Sequence, residues 1–400
     1  MLTYTDALSH LSRLTLKPQS EFLPLDAAVG RVVAQDIQLQ TDQPSFDRAT
    51  MDGYALCLKD GTTTFTVRGT VFAGISFTGT LAPGDAVRIM TGAPVPKGTT
   101  VVPHELTDRG ETVVTVTDVK ALALGRNIAW QGEDGRAGAS VIRAGTRLSP
   151  LVLSLAAMAG IMEVHVLIAP RLGIVTTGDE VGGAGPAGIN DSNGPFLSGF
   201  AHALGLTATR THTSDSEHAL RSAIQQAHQH HDIIVTTGGV SAGAKDLVPA
   251  IAAELGFKTI FHHVAIQPGK PILLMQKGDK FLIGLPGNPV SVIATAHLFL
   301  LPLIHRLLGA PAPTWLTLPL TVAAANKSPR QQFMPARLTV GGVERTAWNG
   351  SGDLIAAACS DGLIDLPVGS AFAVGSPVRF LPFIGWQPGM TGSMPARQPR

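Results

Sequence analysis

The chain has 400 residues, a net charge of +1 and 15% charged residues, a size that suits two to four domains. No Lys/Arg block or stripe breaks that balance, which argues against a nucleic-acid or anionic-membrane partner. Its two cysteines, Cys57 and Cys359, lie far apart and outside any CxxC or Cys/His pattern, so a reduced, cytoplasmic setting is expected.

The first stretch, MLTYTDALSHLSRLTLK, has polar residues throughout and no apolar h-region, so no signal peptide is expected. Apolar residues recur at helical spacing over Tyr4–Leu14. From Arg31 the pattern changes to short alternating runs such as TFTVRGTVFAG and DAVRIMTG, separated by Gly and Pro, which predicts a β-rich module over 31–137. Helical character returns near Pro150–Gly160. The segments 1–30 and 138–170 would then form a helical linker or dimerisation region, with the module as an insertion between them. From 171 to 309 apolar strands (RLGIVTT, HDIIVTT, KFLIGLP) alternate with helical stretches (NGPFLSGFAHALGL, SEHALRSAIQQAHQHH). Such alternation predicts a parallel sheet covered on both faces. Ser214 or Asp215 is the expected N-cap of the second helix. Residues 310–387 read as a small C-terminal β domain, and 388–400 as a loose tail. Leu151–Met162 is too short to span a bilayer, and Val290–Leu308 contains His297, Pro302, His305 and Arg306, so both are expected to be buried helices.

The run IVTTG occurs twice, at Ile174–Gly178 and Ile234–Gly238. In an open parallel sheet, ligands bind beyond the carboxyl ends of the strands. Two parallel strands would bring both Thr-Thr-Gly turns to one edge, and the strand ending in Leu285-Pro286-Gly287-Asn288-Pro289 would join them. Three Gly-containing strand ends suggest a cradle for an anionic, phosphorylated ligand.

A series of motifs then carries a resemblance. They are MDGYA at Met51–Ala55, RIMTGAPVP at Arg88–Pro96 and GED at Gly132–Asp134. Next come TGDE at Thr177–Glu180, NDSN at Asn190–Asn193 and GGVSAGAKD at Gly238–Asp246. QPGKP at Gln267–Pro271, LPGNPVS at Leu285–Ser291 and SDGLIDLP at Ser360–Pro367 complete the order. The chain resembles the molybdopterin molybdenumtransferases, the MoeA/gephyrin E-domain family, over nearly its whole length. The resemblance implies an α/β domain like that of the sister adenylyltransferase MogA, an inserted β-rich module, a barrel-like C-terminal domain and an elongated homodimer. It implies insertion of molybdate into adenylylated molybdopterin with release of AMP, aided by Mg²⁺. Contacts with the adenylyltransferase and with acceptor molybdoenzymes follow from the same role. The alternatives are an adenylyltransferase, or a non-catalytic pterin carrier or scaffold. The first is disfavoured because MDGYA and GAPVP have no work in that reaction.

Hydrolysis of a pyrophosphate link needs charge neutralisation, a metal and an oriented nucleophile. The catalytic candidates are Asp52, Thr91, Asp134, Glu180 and Asp246, with Glu180 and Asp246 as metal ligands, since carboxylates hold hard cations. Substrate contacts are expected from Thr177, Gly178, Asp179, Asp191, Ser192, Asn193, Asp215, Gly238, Gly239 and Ser241, and from Pro286, Gly287, Asn288 and Pro289. Lys270 and Ser291 are expected to meet molybdate. Asp52 and Asp134 read equally as turn residues beside glycine, and Asp215 reads more naturally as a helix N-cap. The cluster His228, His230 and His231 is expected to be a solvated helix end rather than a metal site. Two departures from the family pattern stand out. Ala129 follows Asn127-Ile128 where a basic residue is common. Pro335 stands two residues after Phe333 where an arginine is common, with Arg337 as a potential substitute.

Overall fold

The computed structural model describes residues 1–16, 18–182, 188–240 and 247–385. Ser241 and Asp246 therefore lie outside the described residues, as does the tail from 386.

The centre is a six-stranded sheet in the order Ala208–Thr213, Leu172–Thr177, Ile233–Thr237, Lys280–Leu285, Leu273–Lys277, Lys258–His262. The first four strands run parallel. Alternate side chains serve two cores. Ile174, Val235 and Ile283 face the helices Asn193–Ala203 and Pro289–Thr295, while Val175, Ile234 and Leu282 face Glu217–His230 and Val248–Glu254. Apolar runs at every position are what a sheet covered on both faces demands.

The sheet is not wholly parallel, as the strand–helix alternation had suggested. Leu273–Lys277 runs antiparallel to both of its neighbours. Lys277 pairs with Lys280 across a two-residue turn, Gly278-Asp279, with Gly278 at φ 59°. A glycine-containing two-residue link makes a hairpin and leaves no room for a crossover helix.

The helix Glu217–His230 is capped by Ser216, whose Oγ accepts from Ala219 N–H. Neither Ser214 nor Asp215 is the cap, and Asp215 is thereby left for the site described below. In the histidine cluster His230 is exposed at the helix end, as expected, while His228 and His231 are half-buried. His228 packs edge-on against Phe257 with ring centroids 5.2 Å apart, and burial holds its pKa down. His231 lies within hydrogen-bonding distance of Thr209 Oγ1 at 2.7 Å.

Pro289–Leu307 is long and apolar enough to cross a membrane, but 78% of it is buried inside the protein. The other apolar run departs from expectation. Its helix, Pro150–Met158, leaves Leu151 80% exposed, and Met162 just beyond it is 80% exposed as well.

The flanking segments meet through strand as well as helix. Ser20–Pro24 pairs antiparallel with Glu163–Leu167, and Phe22 stacks on His165. The first helix, Tyr4–Ser12, starts with a capping box between Thr3 and Asp6 and buries Tyr4, Ala7 and Leu11 in the α/β core.

The inserted module is a five-stranded sheet, Thr100–Pro103, Gly53–Leu56, Asp85–Ile89, Thr64–Val71, Val113–Thr115. Gly53 of MDGYA is explained by packing, because a Cβ there would lie 2.0 Å from the Val102 carbonyl oxygen. Gly53→Ala should therefore force the two strands apart and destabilise the chain by about 2 kcal/mol, read as a lowered denaturation midpoint.

The C-terminal sheet runs Gly342–Arg345, Gln331–Thr339, Gly362–Leu366, Pro377–Pro382, Leu316–Pro319. A bridge between Leu320 and Val343 brings its two edges together, which is the barrel-like closure expected. The short strand Ile266–Gln267 also joins it, parallel to Gln331–Gln332. That pairing ties the loop before Lys270 to the C-terminal domain.

Candidate active site

The strands ending in Thr177, Thr237 and Leu285 are in register, with Thr176 opposite Thr237 and Thr237 opposite Leu285. Their turns therefore open at one edge. Gly238 and Gly239 take φ of 86° and 64°, a left-handed pair that side chains resist, and the chain can turn sharply there.

A cleft of about 480 Å³ opens at this edge. Thr177, Gly178, Glu180, Asp191, Ser192, Asn193, Asp215, Gly238, Gly239, Gly287, Asn288 and Pro289 all line it. Thr177 Oγ1 donates to Asp215 Oδ1 at 2.6 Å, and Asp215 N–H donates to Asp179 Oδ1 at 3.1 Å. Asp179 thus stands behind the cleft and orients Asp215. Asp191 accepts from Gly194 N–H at 2.8 Å, and Asn193 Nδ2 donates to the Gly287 carbonyl at 2.8 Å. These bonds lock the loop and the start of the Asn193–Ala203 helix around the opening. The Glu180 carboxylate makes no hydrogen bond or ion pair to the described residues.

A second cavity, about 540 Å³, shares Asn288 with the first. Lys270, Pro286 and Ser291 line it, as the sequence leads one to expect. The wall between the cavities is the loop Gly350–Gly352: Asn288 Nδ2 donates to Ser351 Oγ at 2.8 Å, and Val290 N–H to the Ser351 carbonyl at 3.0 Å. The sequence-derived substrate list is thus divided between two adjoining chambers.

Asp52, Thr91 and Asp134 line neither chamber. Asp52 and Thr91 meet at the end of the inserted module, where Thr91 donates both its N–H and its hydroxyl to Asp52 Oδ1 at 2.7 Å. Those two bonds hold the Asp52 carboxyl below its usual range, so it is ionised at neutral pH. Asp134 is exposed in a turn whose N–H donates to the Gln43 carbonyl at 2.9 Å.

The two departures have structural accounts. Ala129 is buried and pairs with Arg48, an exposed cation on the neighbouring strand. Pro335 is paired inside the C-terminal sheet opposite Leu363. Arg337 does not substitute for the missing arginine, because it is ion-paired with Glu344. Arg330 lines the second cavity instead, together with His263, Gln267 and Trp348. Sequence reasoning missed these four. No local signal marks Arg330, whose place depends on the pairing of the following strand with Ile266–Gln267.

Comparison with known proteins matches most of the chain to one family. Residues 2–160 match the MoeA N-terminal region (domains I and II), 173–306 a probable molybdopterin binding domain, and 317–383 the MoeA C-terminal region (domain IV). The chain belongs to the MoeA family of molybdopterin molybdenumtransferases. It is 34% identical to the Haemophilus influenzae molybdopterin molybdenumtransferase over 77% of this chain and 78% of that one. It is 30% identical to the Staphylococcus epidermidis molybdopterin molybdenumtransferase over 92% of both. The crystal structure of the molybdopterin biosynthesis MoeA protein from Pyrococcus horikoshii superposes with a TM-score of 0.82 at 27% identity, covering 96% of this chain and all of that one.

Proposed function

We propose how the residues of this MoeA-family chain divide the work of the family's reaction, the insertion of molybdenum into molybdopterin. The observation that carries the reading is the pair of joined chambers, one built from strand-end glycines and hydroxyls, the other holding Lys270 and Arg330. The first takes the adenylylated pterin. Gly238 and Gly239 let the backbone approach its phosphates, and Thr177, Asp215 and Asn193 orient it. The second takes molybdate, a tetrahedral dianion, on Lys270, Arg330 and the Ser291 hydroxyl. Asn288 and Ser351 stand at the junction, where the dithiolene must meet the oxyanion. AMP then leaves from the first chamber.

Magnesium suits this donor set. Mg²⁺ uses one or two protein carboxylates and fills its shell with water and phosphate oxygens, and Glu180 offers a carboxylate with no protein partner among the described residues. Asp246 is the second ligand by the family pattern. The ion would neutralise charge on the pyrophosphate link. Glu180 would hold the ion, while Asp215 is kept in place by Thr177.

We further propose a cytoplasmic homodimer in which Asp52, Thr91 and Asp134 complete the cleft of a second copy. Two observations support this. These groups line neither of the two chambers, and the helix Pro150–Met158 presents uncovered apolar surface of the kind that marks an interface. Asp52→Asn and Glu180→Gln should each be poorly active. Mixed and reassembled, they should recover about a quarter of wild-type AMP release, since half the dimers are hybrid and each hybrid has one intact cleft. No recovery, with hybrid dimers demonstrated, would place both residues in the same cleft of one chain.

A further inference from the structure

Thr176 and Thr177 end one strand, so their side chains leave the sheet on opposite faces. Each reaches an aspartate. Thr177 Oγ1 donates to Asp215 Oδ1 at 2.6 Å, and Thr176 Oγ1 lies 3.5 Å from Asp191 Oδ2. The two aspartates occupy matching places. Asp191 directly precedes Ser192, the N-cap of the helix Asn193–Ala203, and Asp215 directly precedes Ser216, the N-cap of Glu217–His230. Those helices cover opposite faces of the sheet. One strand end therefore holds a carboxylate on each side of the first chamber, and Thr176, Thr177, Asp191 and Asp215 all line it.

The Thr176 half has a further member. His212, on the neighbouring strand, stands opposite Thr176 in register, and its Nδ1 lies 3.2 Å from Thr176 Oγ1. A hydroxyl has one proton to give. With His212 Nδ1–H donating to the buried Thr176 hydroxyl, that proton is left for Asp191. The other Asp191 oxygen, Oδ1, accepts from Gly194 N–H at 2.8 Å, so both ends of the carboxyl are held. Oδ2 keeps a lone pair for the chamber.

We infer that Thr176 is a positioning residue of the first chamber, aiming Asp191 Oδ2 at an N–H edge of the adenylylated pterin. This rests on reading that chamber as the pterin site. A carboxylate oxygen only accepts, so it selects a donor. Both ring systems of the substrate carry one: the amino group and ring N–H of the pterin's pyrimidinone, and the amino group of adenine. The 3.5 Å separation leaves room to shorten on binding, as hydrogen bonds in active sites commonly do.

The test is steady-state AMP release by Thr176→Val and Thr176→Ser, with binding of AMP and of neopterin measured alongside. Valine keeps the shape and loses the hydroxyl. Thr176→Val should raise KM for adenylylated pterin about tenfold with kcat unchanged, while Thr176→Ser stays near wild type. Asp191→Asn should raise KM as well, and adding Thr176→Val to it should cost little more, because the two act through one contact. Weaker neopterin binding by Thr176→Val assigns the edge to the pterin, and weaker AMP binding assigns it to adenine. An unchanged KM in Thr176→Val, a loss confined to kcat, full additivity with Asp191→Asn, or no weakening of either probe overturns the inference. Thr177→Val separates that result from failure of the chamber's assignment. If Thr177→Val raises KM and Thr176→Val does not, the inference alone falls; if neither changes KM, the first chamber is not the pterin site.

Discussion

Glu180→Gln is expected to lower AMP release about a thousandfold with no measurable loss of stability. The side chain is exposed at the mouth of the first chamber and bonds to no described residue, so the fold loses nothing when its charge is removed. The same isolation is why the loss in turnover is large. A carboxylate held by neighbouring donors would have its oxygens occupied, whereas both Glu180 oxygens are open to a cation. Glutamine preserves size and polarity but has no charge to give. Turnover should recover in part at high Mg²⁺ if the lost interaction is binding of the ion. Full activity in the variant at ordinary Mg²⁺ would remove Glu180 from the site.

The second large effect concerns stability. His297 is completely enclosed in the α/β domain, between Phe196, Phe200 and Phe383. Nδ1–H donates to the Ile293 carbonyl at 2.7 Å, and Nε2 accepts from Ile384 N–H at 2.9 Å, which binds the end of the C-terminal domain to the central sheet's helix. The bond accepted by Nε2 requires the neutral ring, and burial pushes its pKa from 6.5 down to about 4. The unfolded chain therefore takes up a proton first. The contribution to stability is whole above about pH 6.5 and is lost as pH falls towards about 4, a change of about 3 kcal/mol. Denaturant unfolding at several pH values checks this. His297→Gln, which keeps a donor and an acceptor, should lose that part of the acid sensitivity relative to wild type. Identical pH slopes for the two proteins would contradict the assignment.

Much of the site was legible because strand ends carry chemistry in fixed order. IVTTG, twice, marked two parallel strands, and their neighbour ended in LPGNP; register then guaranteed a common edge. What could not be read was tertiary. Arg330 reaches the second cavity only because Ile266–Gln267 leaves the α/β domain to pair with the C-terminal sheet, and nothing local in either segment announces that pairing. Arg337 looked the better candidate from its distance to Phe333, but pairing with Gly342–Arg345 sets it against Glu344. Asp215 looked like a cap because Asp favours that position; Ser216 took it, one residue later, and the carboxylate was left to Thr177. The exposed side of Pro150–Met158 was hidden for a similar reason. An apolar helix reads as buried whether its cover comes from its own chain or from another.

The central claim is that these two chambers carry out one molybdate-dependent reaction. The measurement is direct: purified protein with adenylylated molybdopterin and Mg²⁺, with and without molybdate, followed for released AMP and for metal in the pterin. The account predicts AMP release that depends on molybdate and matches metal-loaded pterin one for one. Pterin binding without either product would contradict it and would leave the chain a carrier of the cofactor precursor.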